Sequence, residues 1–136
     1  MTDREEICEL MSRYCWHVDH LQWDQWLDLF TMDAIWGAGD FGPFKGRDAM
    51  IKLTRSLEKL VKQGVSRHYI ANEVIELDGD KGTLRAYIMV VSAETQLVKT
   101  LGEYEITVAR AGGRWLIRTL DFFRINPARA AEAAPA

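Results

Sequence analysis

Near His68 the hydrophobic pattern of this chain changes period, and few folds accommodate such a change. Before that point apolar residues recur every three or four positions, as one face of a helix requires; after it they follow the β-branched and aromatic runs of strands. Thr2 and Glu5 form a capping-box pair, and Ile7, Leu10, Met11, Tyr14, Val18 and Leu21 make one stripe, predicting a helix to about residue 20. A short second helix is expected with Trp23, Trp26, Leu27 and Phe30 buried. The segment DAIWGAGDFGPFKG holds a brief strand, then four glycines and a proline, and reads as an irregular loop. A third helix begins near Arg47, carries Met50, Leu53, Leu57, Leu60 and Val61, and stops at Gly64. Beyond His68, IANEVIEL, TLRAYIMVVSAE, a run from Leu97 to Ala109 and RWLIRTLDFFRIN are separated by the turn signals DGDKG and AGG. Helices followed by consecutive antiparallel strands predict an α+β domain, a curved sheet with helices packed on one side.

A length of 136 residues suits one domain, expected over residues 1–126, with the small-residue segment PARAAEAAPA (127–136) as a flexible tail. The 17 Lys and Arg against 20 Asp and Glu form no basic run, so nucleic acid is not an expected partner. No apolar stretch approaches the roughly 18 residues that span a bilayer, and the start MTDREEICEL is charged, so neither a membrane nor a signal segment is expected and the location is read as cytoplasmic. Cys8 and Cys15 lie about 10 Å apart along one helix, too far for a disulfide, and fit buried reduced thiols. Five Trp, five Phe and four Tyr exceed the needs of a small core and point to an apolar cavity with aromatic walls.

The three histidines confine the chemistry, with His17 and His20 flanking Asp19 and His68 opening the sheet region. His17, Asp19 and His68 spell the two-histidine, one-carboxylate set of mononuclear iron sites. On a helix, positions i and i+2 point about 200° apart, which opposes chelation by His17 and Asp19, so no metal is expected. Alternatively, Asp19 and His68 form a dyad in which the carboxylate fixes one imidazole nitrogen and leaves the other as a general base. The same residues also fit a helix-end aspartate and a polar strand histidine.

The stretches MSRYCWHVDHLQWDQWLDLFTMDAIW, FKGRDAM, SRHYIANEVIELDGDKG and GEYEITVARAGGRWLI resemble the SnoaL-like branch of the nuclear-transport-factor-2-like superfamily. That branch includes scytalone dehydratase, bile acid 7α-dehydratase and hexachlorocyclohexane dehydrochlorinase. The resemblance implies a cone-shaped curved antiparallel sheet with three helices enclosing an apolar cavity. It also implies that Asp19 and His68 are the catalytic pair, with Tyr14 facing the substrate as a phenol donor from a helix face that partly lines the cavity. Trp36, Phe41, Asn72 and Arg124 become candidate substrate contacts, with Arg118 the other arginine of the last strand. The dehydratases carry a Tyr in the loop after the first short strand, where WGAGDFG has none; the dehydrochlorinase matches better there, with a Trp at the place of Trp36.

The expected function is a cofactor-independent lyase acting on an apolar aromatic or polycyclic small molecule. The chemistry is dehydration or a related elimination, or retro-aldol release of a small aldehyde, and the chain is expected to form a homo-oligomer, dimer or trimer. The alternatives are a non-catalytic ligand carrier and an isomerase of the ketosteroid isomerase type. For the isomerase the expected base would be a carboxylate, and Asp40 matches its position poorly.

Overall fold

A computed structural model describes residues 1–61 and 65–125. The expected helix stop at Gly64, residue 126 and the tail 127–136 lie outside the described residues. The Thr2 hydroxyl accepts the Glu5 backbone N–H at 3.2 Å, and the Glu5 carboxylate accepts the Thr2 N–H at 2.7 Å. This reciprocal cap satisfies two of the free donors at the start of α1 (Asp3–Asp19). Ile7, Leu10, Met11, Tyr14 and Val18 are buried along one face of α1, as their spacing predicts.

Helix α2 (Trp23–Leu27) is shorter than expected, and Phe30 opens strand β1 (Phe30–Ala38) instead of closing the helix. The Leu29 carbonyl already accepts the Ile117 N–H at 2.8 Å, so sheet pairing takes the backbone before another helical turn can form. The glycine-rich segment is not an irregular loop: β1 folds back on β2 (Phe41–Lys45), with Trp36 opposite Phe44. Gly39, at φ 62°, supplies the left-handed turn between them. β2 is an edge strand, the place in a sheet where a proline such as Pro43 is tolerated.

Helix α3 (Arg47–Leu60) buries Met50, Leu53, Thr54 and Leu57. Leu60, expected in the same stripe, is 65% exposed at the helix end. The remaining strands are β3 (Ser66–Asp78), β4 (Lys81–Ser92), β5 (Val98–Ala111) and β6 (Arg114–Arg124). They form a curved, unclosed sheet in the order β2-β1-β6-β5-β4-β3. All neighbouring pairs are antiparallel except β1 with β6, which the alternation of apolar residues could not reveal.

The inner face buries Leu84, Ala86 and Ile88 from β4, Tyr104, Ile106 and Val108 from β5, and Trp115, Ile117 and Leu120 from β6. Ile117 and Leu120 are three apart yet both inward. Thr107 pairs with Thr119 and Val108 with Ile117, which leaves Arg118 as the extra residue of a bulge. That bulge explains why β6 reads as apolar on both faces. Among the described residues, no helix is long and apolar enough to cross a membrane.

Candidate functional site

Asp19 ends α1 and is 4% exposed. A carboxylate there faces the negative end of the helix macrodipole, which disfavours it by about 0.3–1 kcal/mol before burial is counted. Its compensation comes from β3. Both carboxylate oxygens accept the His68 backbone N–H, at 3.0 and 3.1 Å, and Oδ1 lies 2.6 Å from His68 Nδ1. An ionised carboxylate only accepts, so Nδ1 carries the shared proton, and in the neutral ring Nε2 holds the lone pair. Nε2 makes no hydrogen bond among the described residues. One contact therefore fixes the ring's orientation and its tautomer together.

The imidazole borders a cavity of about 270 Å³ on the inner side of the sheet. Its walls are mainly apolar, with Trp36 and Phe41 from the β1–β2 hairpin, Leu57 and Leu60 from α3, Ile88 and Val90 from β4, and Phe122 from β6. Four polar side chains besides Thr100 reach it: Ser66, His68, Lys99 and Tyr104. Lys99 Nζ donates to Ser66 Oγ at 3.1 Å. A larger groove of about 610 Å³ lies on the outer face of the sheet, between Ile35, Thr83, Thr107 and Arg118, and holds neither Asp19 nor His68. His68 also borders, together with Asp19, Cys15 and Trp16, a hollow of about 400 Å³ between α1 and β3; of the two, the inner cavity has the more apolar walls and so is better suited to proton transfer away from water.

Tyr14, expected to face the substrate, is 2% exposed and not among the lining residues. It sits behind the wall, where the Trp36 indole N–H donates to its oxygen at 3.0 Å and its hydroxyl is 3.4 Å from that of Tyr104. No residue of α1 lines the cavity, because the sheet residues Tyr104 and Phe122 and the hairpin residue Trp36 come between. Tyr104 is the phenol at the surface of the cavity, and the sequence analysis missed it. Alternation could have found it: in GEYEITV, Tyr104 and Ile106 stand between Glu103, Glu105 and Thr107, the pattern of inward and outward positions. Burial pushes both phenols well above the ordinary tyrosine range.

Of the four expected substrate contacts, Trp36 and Phe41 line the cavity, whereas Asn72 and Arg124 do not. Asn72, at φ 61°, falls in a bulge of β3 between Ala71 and Val74 and borders a shallow outer-face depression beside Arg85 and Tyr87. Arg124 is exposed at the end of β6, opposite Gly102, and Arg118 is turned out by its own bulge. Asp40 is exposed in the hairpin turn. Cys15 is buried, and burial pushes its thiol up to about 12; Cys8 is only partly buried, so the expectation of two buried thiols holds for Cys15 alone.

His17 Nδ1 bonds Gln22 Oε1 at 2.8 Å, and the His20 ring stacks on Trp16 with Nδ1 2.7 Å from the Trp16 carbonyl. Both rings are thus engaged away from Asp19. Among the described residues, no group of three or more His, Cys, Asp or Glu is arranged to hold a metal ion.

A SnoaL-like domain family matches residues 1–121. Among solved structures, a cystatin-like-fold protein of unknown function from Nostoc punctiforme is similar at TM-score 0.84 and 22% identity, covering 92% of each chain. A scytalone-dehydratase-like protein from Novosphingobium aromaticivorans is similar at TM-score 0.77 and 18% identity, over 90% of this chain and 84% of that one. LinA is similar at TM-score 0.76 and 20% identity, over 90% and 86%. At such identities the likeness is one of fold. No curated protein matches the chain.

Proposed function

This chain belongs to the SnoaL-like domain family, within the nuclear-transport-factor-2-like superfamily, and on that premise we propose that it is a lyase acting on a small apolar molecule through His68 and Asp19 without a cofactor. The observation that carries the proposal is the 2.6 Å Asp19–His68 contact at the wall of an apolar cavity, with Nε2 unbonded. In this reading Nε2 takes a proton from a substrate carbon. The released electron pair forms the new double bond, the C–O bond breaks with its pair on oxygen, and the leaving hydroxyl takes the proton back from the imidazolium and departs as water. Asp19 stabilises the imidazolium formed in the first step and holds the ring for the return of that proton. A base so placed supplies about 10²–10⁴ in rate, and positioning in a dry cavity supplies more.

The volume sharpens the substrate class. About 270 Å³ is slightly below the roughly 300–1,000 Å³ of sites for drug-sized ligands, which favours a one- or two-ring aromatic hydroxy compound over a larger polycycle. The test is a screen of such compounds for the absorbance of a new conjugated double bond, followed by His68→Ala on any substrate found. Loss of turnover supports the reading, and full activity in that variant overturns it. A ligand carrier is the second reading, favoured by the mainly apolar walls of the cavity. Mass spectrometry of a ligand incubated with the protein separates the two, since a carrier returns it unchanged.

A further inference from the structure

Tyr14, Trp36 and Tyr104 form a buried chain of polar groups for which the pairing of Asp19 with His68 has no use. Both phenols are buried and keep their protons, so each has one O–H to direct. The indole N–H of Trp36 can only donate, and at 3.0 Å it occupies one lone pair of the Tyr14 oxygen. The Tyr14 and Tyr104 hydroxyls, 3.4 Å apart, then have two arrangements. If Tyr104 donates to Tyr14, the Tyr14 proton is left in the core, on a residue 2% exposed, with no further hydrogen-bond acceptor among the described residues. If Tyr14 donates to Tyr104, the unpaired proton belongs to Tyr104, which lines the cavity. Stranding a hydroxyl proton in the core costs more than presenting it where a water or ligand can accept it, so the second arrangement prevails.

We propose that Tyr104 presents its O–H to an oxygen of the ligand bound in this cavity, and that Tyr14 and Trp36 are positioning residues that set the direction of that proton. The hydroxyl contact is long for an O–H···O pair, so what it supplies is direction more than strength. As a catalytic step this rests on the elimination reading, in which the oxygen received is the one that leaves or enolises; as ligand recognition it stands apart from it. The expected ligand is therefore a ring compound bearing a carbonyl or hydroxyl oxygen, in preference to a hydrocarbon of the same shape.

The test uses the full chain with 1-tetralone and its oxygen-free counterpart tetralin, titrated by tryptophan fluorescence, and the carbonyl stretch of bound, carbon-13-labelled tetralone. The wild-type protein is expected to favour the ketone over tetralin, with the stretch displaced to lower frequency. Tyr104→Phe should lower the ketone-to-tetralin ratio about fivefold, the scale of one neutral hydrogen bond, and return the stretch to its value in an apolar solvent. Unchanged tetralin affinity in that variant shows that the cavity is intact. Tyr14→Phe, which leaves every lining residue in place, should lower the ratio about twofold with tetralin affinity unchanged, an effect that a packing role alone does not produce. The proposal is overturned if tetralone binds the wild-type protein no better than tetralin, or if Tyr104→Phe leaves ratio and stretch unchanged. His68→Ala separates the two readings: turnover surviving in that variant defeats proton abstraction by His68, while the Tyr104-dependent stretch still stands.

Discussion

Replacing Asp19 by Asn changes one atom and tests the arrangement around His68 directly. The carboxylate accepts the His68 backbone N–H through both oxygens and the Nδ1 proton through Oδ1. An amide offers one oxygen and one donor in the same space. With its oxygen at the Oδ2 place, 3.0 Å from the backbone N–H, its NH₂ faces Nδ1, which must then accept. The proton moves to Nε2, and the lone pair available there as a base is lost. The expected cost in kcat is the full contribution of the base, about 10²–10⁴, or roughly 3–5 kcal/mol of transition-state stabilisation. Stability should fall less. Loss of the charge-assisted bond costs about 1.5–3 kcal/mol, partly offset because a neutral amide no longer opposes the helix macrodipole. The assay pairs kcat for Asp19→Asn with the nitrogen-15 shifts of the His68 ring, which distinguish the two tautomers, and urea unfolding provides the control. A variant with the wild-type tautomer and kcat within threefold of the parent would refute the reasoning.

The other predictions concern the frame around the site. At Gly102 an added Cβ would lie 2.6 Å from the Phe123 carbonyl and against the Phe122 ring, so Gly102→Ala should destabilise the fold by about 1–3 kcal/mol in urea unfolding and distort the cavity wall. The Cys15 thiol ordinarily titrates at 9.0 and is held up to about 12 by burial. Its folded form therefore keeps a proton that the unfolded chain has released, and stability should decline as pH rises through that window; a Cys15→Ala variant whose decline is just as steep would count against this. On the outer sheet face Tyr69, Tyr87, Leu101 and Phe123 are about half exposed between Arg85, Glu103 and Glu105. Apolar side chains flanked by both signs of charge suit a second copy of this chain, so Phe123→Lys should lower the mass seen by sedimentation equilibrium, and a wild-type protein that is already monomeric would exclude the idea.

Much of the architecture was legible because it is written in local patterns. The Thr2 and Glu5 cap, the stripe from Ile7 to Val18 and the strand runs after His68 each depend on neighbours within a few residues, which is the range over which periodicity speaks. The hairpin from Trp36 to Phe44 was misread for the same reason: glycine and proline mark irregular backbone locally, and only its edge position makes them compatible with a strand.

The candidate site divides along a similar line. The amino-acid sequence alone narrowed the titratable candidates to three histidines and their neighbours, and the resemblance of SRHYIAN and its surroundings singled out Asp19 with His68, which the fold brings within 2.6 Å. Which side chains share the cavity with His68 was decided by register. A slip of one residue turns a strand's side chains to the other face, and bulges at Asn72 and Arg118 make such slips where alternation gives no warning. Tyr14 lost its expected place because the order β1-β6-β5 stacks Trp36, Tyr104 and Phe122 between α1 and the cavity, a layering set by pairings between distant strands that no local pattern encodes.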